Sequence, residues 1–192
     1  MADIRVVYVL LRFPWLTETF VAEEIRSIQA KGVSVCIYAL LPSREPCIHS
    51  VSRQLLPQVK YAPGLLSGDL WSAQAYYLLK APRQYAGLLG TVLRQPSPRI
   101  SFIFKRFAIL LKGIWLARQL QHESVDLIHT HFAWLSAIAG IVVSQLLGIP
   151  FTLTAHAYDI YSVKNDLLRL ATGAADGIVT ISETNKRAIL AM

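Results

Sequence analysis

Charge is scarce in this 192-residue sequence, and negative charge is scarcest. Only 16% of residues are charged, with 12 acidic side chains against 19 basic ones. A chain that is 54% apolar and so thinly charged is not disordered, and it is long enough for one good core. The imbalance leaves a formal net charge of +7. That suits an anionic partner: nucleic acid, a phosphate-bearing ligand or an acidic membrane surface. Cysteine is nearly absent too. Cys36 and Cys47 have no metal-like spacing and suit free thiols in a reducing compartment better than a disulfide framework.

Several signatures are missing. No GxGxxG follows the first apolar run and there is no GxxxxGK[ST], so the glycines that cradle phosphate in dinucleotide and P-loop sites are lacking. The first apolar run, Val6 to Leu11, is short and no small-residue cleavage site follows it, so it does not read as a secretory signal. There is no internal repeat and no low-complexity segment. One stretch, Phe132 to Ala155, has no Asp, Glu, Lys or Arg and is long enough to span a bilayer. Gly148 and Pro150 break it, which predicts a buried helix followed by a buried strand.

What is present is alternation. Ile4 to Leu11 reads as a strand buried on both faces. Thr17 is placed to cap a helix with Glu18 in its first turn, and Val21, Ile25 and Ile28 recur at helical spacing before Gly32. Strands are expected over Val33 to Leu40, Gln58 to Ala62, Val125 to His129, Phe151 to Thr154 and Gly177 to Ser182. Helices are expected over about Leu70 to Gln121, Ala133 to Leu147, Val163 to Thr172 and Glu183 to Met192. Apolar strands alternating with helices predict a Rossmann-like α/β fold, a parallel sheet covered by helices on both faces.

In such sheets ligands bind beyond the carboxyl ends of the strands. His129 and His131 are expected at one strand end, His156 at another, and Glu18 in the loop after the first. A lone histidine there is usually a hydrogen-bonded structural residue. Histidines two apart share a face, so a zinc site could be drawn from His129, His131, His156 and Asp159. No further ligand accompanies them, and no metal is expected.

Four segments then occur in order: "RFPWLTETFVAEEIRSIQAKGVSVCIYAL", "VDLIHTHFAWLSAIAG", "LLGIPFTLTAHAYDIY" and "ADGIVTISETNKRAI". Together they resemble the N-terminal domain of family 4 glycosyltransferases, and more narrowly the branch that builds colanic acid and other bacterial exopolysaccharides. "TAHAYDIY" and "HTHFAW" are the most specific pieces, and the resemblance covers nearly the whole chain. It implies the N-terminal half of a GT-B fold, in which two Rossmann-like domains face each other across a cleft. The N-terminal domain holds the sugar acceptor and the C-terminal domain the nucleotide-sugar donor, UDP- or GDP-linked. Transfer proceeds with retention and without a metal or other cofactor.

Carried onto this sequence, the resemblance places His131 near acceptor and donor sugar and His156 against the transferred sugar. These two are the catalytic candidates. It also implies that the loop Arg12 to Thr19 shapes the acceptor site, which makes Thr17, Glu18 and Thr19 candidate binding residues. Asp159 can accept a hydrogen bond from a sugar hydroxyl or cap a helix. Where many relatives carry glycines in the first loop, this sequence has Phe13-Pro14-Trp15-Leu16. The family's E-x7-E motif and basic phosphate-binding pair do not occur. The expectation is one acceptor-side domain over residues 1–192, with a helical insertion at about 70–121 and no donor-binding domain, inactive alone.

That helical region has no acidic residue between Trp71 and Gln121. Lys80, Arg83, Arg94, Arg99, Lys105, Arg106, Lys112 and Arg118 interleave there with Trp71, Tyr76, Tyr77, Tyr85, Phe102, Phe104, Phe107 and Trp115. No RNA- or DNA-binding motif supports a nucleic-acid partner, and none is expected. Basic helices with aromatic residues suit an anionic membrane surface and a lipid-linked or oligosaccharide acceptor. The alternative is that the aromatics are core and the charges only solvate. The expected place is the cytoplasm, peripheral on the inner face of the membrane. The rival function is a non-catalytic sugar- or lipid-binding module working with a separate donor-domain chain.

Overall fold

The computed structural model describes residues 4–95, 100–161 and 167–192. Six strands form one parallel sheet: β1 (Arg5–Phe13), β2 (Ser34–Pro42), β3 (Val59–Tyr61), β4 (Leu127–His131), β5 (Phe151–Ala155) and β6 (Gly177–Thr180). Their order is β3-β2-β1-β4-β5-β6. The chain therefore reverses its direction of travel across the sheet between β1 and β4, and such a switch point opens a crevice beyond the strand ends.

Alternation along β1 sorts the core. Val6, Tyr8 and Leu10 face α1 (Thr19–Gln29) and α2 (Ser50–Leu55), joined by Val21, Ala22 and Ile25 of α1. Val7 and Val9 face the larger layer. That layer holds α3 (Gly68–Lys80), α4 (Pro82–Leu93), α5 (Ile100–Leu120) and α6 (Leu135–Leu147), with α8 (Leu168–Ala174) beside α6. Two short helices, α7 (Ala157–Tyr161) and α9 (Glu183–Leu190), complete the described chain. The uncharged run Phe132 to Ala155 is α6 followed by β5, parted by Gly148 in the left-handed conformation at φ 69°. Among the described residues no helix is long and apolar enough to cross a membrane.

Boundaries differ from the expectation in three instructive places. Helix α1 begins at Thr19 with Glu18 at its N-cap, one residue later than a helix capped by Thr17 would begin, because the Glu18 N–H bonds the Trp15 carbonyl at 3.1 Å and closes a turn first. Thr17 therefore caps nothing, and Glu18 flanks the helix rather than filling its first turn. Strand β4 runs to His131, two residues past the expected end, because the ladder to β5 continues from Ile128–Phe151 to His131–Thr154. Both histidines therefore lie within the strand. Helix α7, directly after His156, was not expected. The start of the helix expected from Val163 lies outside the described residues.

The basic helical region is also partly core. Arg106 is 1% exposed, Lys112 is buried, and Tyr77 and Trp115 belong to the core. Lys112 reaches from α5 to bond the Leu40 carbonyl at the end of β2. Lys80, Arg83, Arg94 and Lys105 stay on the surface.

Candidate functional site

The crevice at the switch point is a cavity of about 470 Å³. The end of β1 and its loop give it Arg12, Trp15, Thr17 and Glu18, and the end of β4 gives it His131 and Phe132. Phe20, Trp134 and Tyr158 complete a largely aromatic wall. Trp134 and Tyr158 stack almost parallel, 5.6 Å apart and 8° from coplanar. Phe132 adopts φ 68°, which bulky residues seldom do, and its N–H bonds the Thr154 carbonyl at 2.9 Å. This left-handed residue turns the chain sharply from β4 toward α6 and leaves its ring at the cavity.

The two catalytic candidates touch each other, but only His131 lines the cavity; His156 is not among its lining residues. His131 Nδ1 lies 3.3 Å from His156 Nε2, and their rings stack with centroids 5.6 Å apart. His131 is only 2% exposed. His156 leans on Phe132 and Phe20, at 4.4 and 5.0 Å between centroids. Of the proposed binding residues, Thr17 and Glu18 line the cavity and Thr19 does not. Asp159 is placed beneath the site, fully buried. Its Oδ2 accepts the His156 N–H at 2.9 Å, and the Ala133 backbone N–H also faces its carboxylate. The side chain thus ties the turn after β5 to the turn after β4, and burial holds its carboxyl above the usual range.

Two contributors were missed, Glu24 and Tyr8, and His129, expected only at the strand end, joins them. Glu24 projects from α1 and accepts from Tyr8 Oη at 2.7 Å, with His131 Nε2 at 3.3 Å. Burial pushes its carboxyl up, but the hydrogen bonds from His131 and Tyr8 win and hold it down to about 2. Burial and the neighbouring His131 push His129 and His156 down to about 4, against the pull of Glu24. Glu24, His129 and His131 bring possible metal-ligand atoms within 4.8 Å of one another. Those atoms already serve hydrogen bonds: His129 Nε2 to Thr154 Oγ1 at 3.2 Å, and Glu24 Oε1 to Tyr8. A signal for Glu24 was available, since it stands three residues after Val21 and four before Ile28, on the flank of the apolar face.

Glu18 is the perturbed acid of the cavity. Burial alone pushes its carboxyl up to about 7. No hydrogen bond or ion pair to its carboxylate is found among the described residues. Because the folded value is raised, the charged side chain subtracts stability as pH rises from about 4.5 to 7. Glu18→Gln is therefore expected to be more stable than the parent at pH 8, by about 1–2 kcal/mol after discounting for solvent. The gap should largely close by pH 5. Urea melts at both values check this, and equal gaps at both would contradict it.

The pattern of glycosyltransferase family 4 matches residues 17–192. An uncharacterized glycosyltransferase of Methanocaldococcus jannaschii is 28% identical over 86 residues, 42% of this chain and 24% of that protein. In structure the chain is similar to UDP-N-acetylglucosamine 2-epimerase from Rickettsia bellii, with a TM-score of 0.53 and 12% identity. It is also similar to an alpha,alpha-trehalose 6-phosphate synthase from Burkholderia multivorans, with a TM-score of 0.48 and 16% identity. The two alignments cover 98% and 99% of this chain but 42% of each solved chain. The strand order and the likeness at a TM-score of 0.53 make the fold Rossmann-like, of the kind found in GT-B proteins, and the match over residues 17–192 shows that the chain belongs to glycosyltransferase family 4.

Proposed function

We propose that these residues form the acceptor-binding half of a retaining nucleotide-sugar glycosyltransferase of bacterial exopolysaccharide synthesis, of the colanic acid type. The observation that carries this reading is the His131–His156 pair, set 3.3 Å apart, with His131 in the wall of the switch-point cavity. Aromatic rings in the wall suit the C–H faces of a sugar, and the wall's polar groups Arg12, Thr17 and Glu18 suit its hydroxyls, with His156 bonded to His131. His156 serves by holding a sugar in place rather than by chemistry of its own, and placement of that kind is a large part of a transfer rate. The donor is a UDP- or GDP-sugar, and no residue described here is assigned to its nucleotide. The test uses the enzyme that carries this domain, a labelled nucleotide sugar and a lipid-linked acceptor. Elongation of the lipid is expected, and His156→Ala should cut it by about 10²–10³-fold. Undiminished transfer by that variant would overturn the reading.

The acceptor is lipid-linked in this reading, and the surface supports it. On α3, α4 and α5, Leu79 is 83% exposed, Ile100 73% and Phe104 67%, with Leu78 and Leu93 also exposed. Lys80, Arg83 and Lys105 accompany them on these same helices, and Arg94 follows directly after α4. Such a mixture suits the cytoplasmic face of an anionic bilayer. Binding to acidic vesicles should weaken as salt rises, and Lys80→Glu with Lys105→Glu should weaken it at least about tenfold. Arg106 is unsuitable for this test because it is buried. Salt-independent binding, or none at low salt, would contradict the membrane contact.

A further inference from the structure

We propose that Glu24 is a positioning residue acting through His131, which lines the cavity: it fixes which nitrogen of His156 is bare, and so leaves His156 an acceptor for a sugar hydroxyl. The deduction needs only the direction of hydrogen bonds. Glu24 is ionised near neutrality and can only accept. Tyr8 Oη donates to it at 2.7 Å, so His131 Nε2, at 3.3 Å, must carry a hydrogen and donate as well. In neutral His131 that leaves Nδ1 bare. The nitrogen facing it at 3.3 Å, His156 Nε2, must then be the donor. In neutral His156 the remaining nitrogen, Nδ1, is bare, and it bonds to no described residue. A carboxylate on α1 thereby sets the polarity of a group two hydrogen bonds away, on β5's carboxyl end.

The same chain of bonds makes the polarity reversible. One proton added to the pair can rest on His131, between Glu24 and Nε2 of His156. His131 Nδ1 then donates, His156 Nε2 accepts, and His156 carries its hydrogen on Nδ1. His156 Nδ1 changes from acceptor to donor, while the ring itself stays neutral. The groups that face this pair are Tyr8 from β1, Glu24 from α1, His129 from β4 and Asp159 from α7, with Arg12 and Glu18 on the cavity wall. Glu24 is the one whose ionised oxygen lies against a ring nitrogen of the pair.

This inference rests on His156 as the sugar-facing group, but its test does not. Histidine rings labelled with 15N report directly which nitrogen carries hydrogen, so spectra of the chain from pH 4.5 to 8.5 suffice, with His→Gln variants for assignment. At pH 8 both His131 and His156 are expected as Nε2–H forms with bare Nδ1. Glu24→Gln keeps the size of the side chain and removes its charge. It should move proton uptake by the pair down by about one pH unit or more. Tyr8→Phe removes the competing donor to Glu24 and should move that uptake up. A parent spectrum with the hydrogen on His131 Nδ1, or uptake unmoved by either variant, would overturn the proposal. A saccharide added afterwards tests the other layer. If it leaves His156 untouched while the Glu24 linkage holds, the sugar assignment fails and the linkage stands.

Discussion

Gly140→Val is expected to cost the domain about 3 kcal/mol or more, enough to leave little folded protein under mild denaturant. Gly140 lies in α6 where that helix crosses β4 and β5. A Cβ there would meet Phe151 Cε2 at 2.5 Å and Thr130 Cγ2 at 2.9 Å. Phe151 and Thr130 are both fully buried, so neither can swing clear without moving the sheet. Gly113 of α5 makes the companion contact, where a Cβ would stand 3.0 Å from Ala139 Cα of α6. Together the two glycines let α5, α6 and the sheet approach closely, and that packing sets Phe132 and Trp134 against the cavity. Gly87 of α4 is the control. A Cβ there meets nothing within 4 Å, so Gly87→Ala should stabilise by about 0.5–1 kcal/mol. Urea melts check both. A Gly140→Val protein that melts like the parent would contradict the packing.

Asp159→Ala should be nearly as costly, at about 2–4 kcal/mol, because it strands buried backbone donors of His156 and Ala133. Its second effect is more informative. Asp159 is the clamp between the turn that follows β4 and the turn that follows β5. Without it the two histidines lose their common frame, so the ring contact between His131 and His156 should loosen even in molecules that stay folded. Asp159→Asn keeps the shape and one acceptor oxygen, and should fall between parent and alanine. Chemical denaturation gives the stability, and ring couplings of the two histidines give the geometry. An alanine variant with parental stability would show that the buried carboxylate supports nothing.

The architecture was legible because apolar, β-branched runs separated by helical spacing leave few alternatives to a parallel sheet. Boundaries were less so, for a physical reason. Apolarity fades at His129, but the hydrogen-bond ladder from β5 carries β4 on to His131, and no local property of the sequence records a ladder. Helix α7 is five residues long, too short for periodicity to show. In the site, His131 and His156 were marked by the resemblance and by their places near strand ends. Asp159 was split between sugar contact and capping. Its observed role as a clamp on backbone N–H groups resembles capping, though it sits inside α7 rather than before it. Glu24 was passed over because a glutamate within a helix reads as solvated surface. Its place on the flank of the apolar face was the available signal, and the fold turns that flank toward β4. The charged helices misled in the opposite sense: Arg106 and Lys112 look like surface in the sequence, yet one stacks on Phe102 at 4.7 Å and the other bonds the end of β2.

In the proposed function it is the switch-point cavity, rather than another hollow among the described residues, that holds the sugar acceptor. The most direct measurement is a resonance map of the 15N-labelled chain during titration with a lipid-linked saccharide. The account predicts saturable shifts at the Trp15 and Trp134 indoles and at the amides of Glu18 and Phe132, reduced when His131 is replaced by alanine. Shifts centred instead on the grooves at Ile48 to Gln54 or Ile178 to Leu190, or no saturable shift at all, would contradict it.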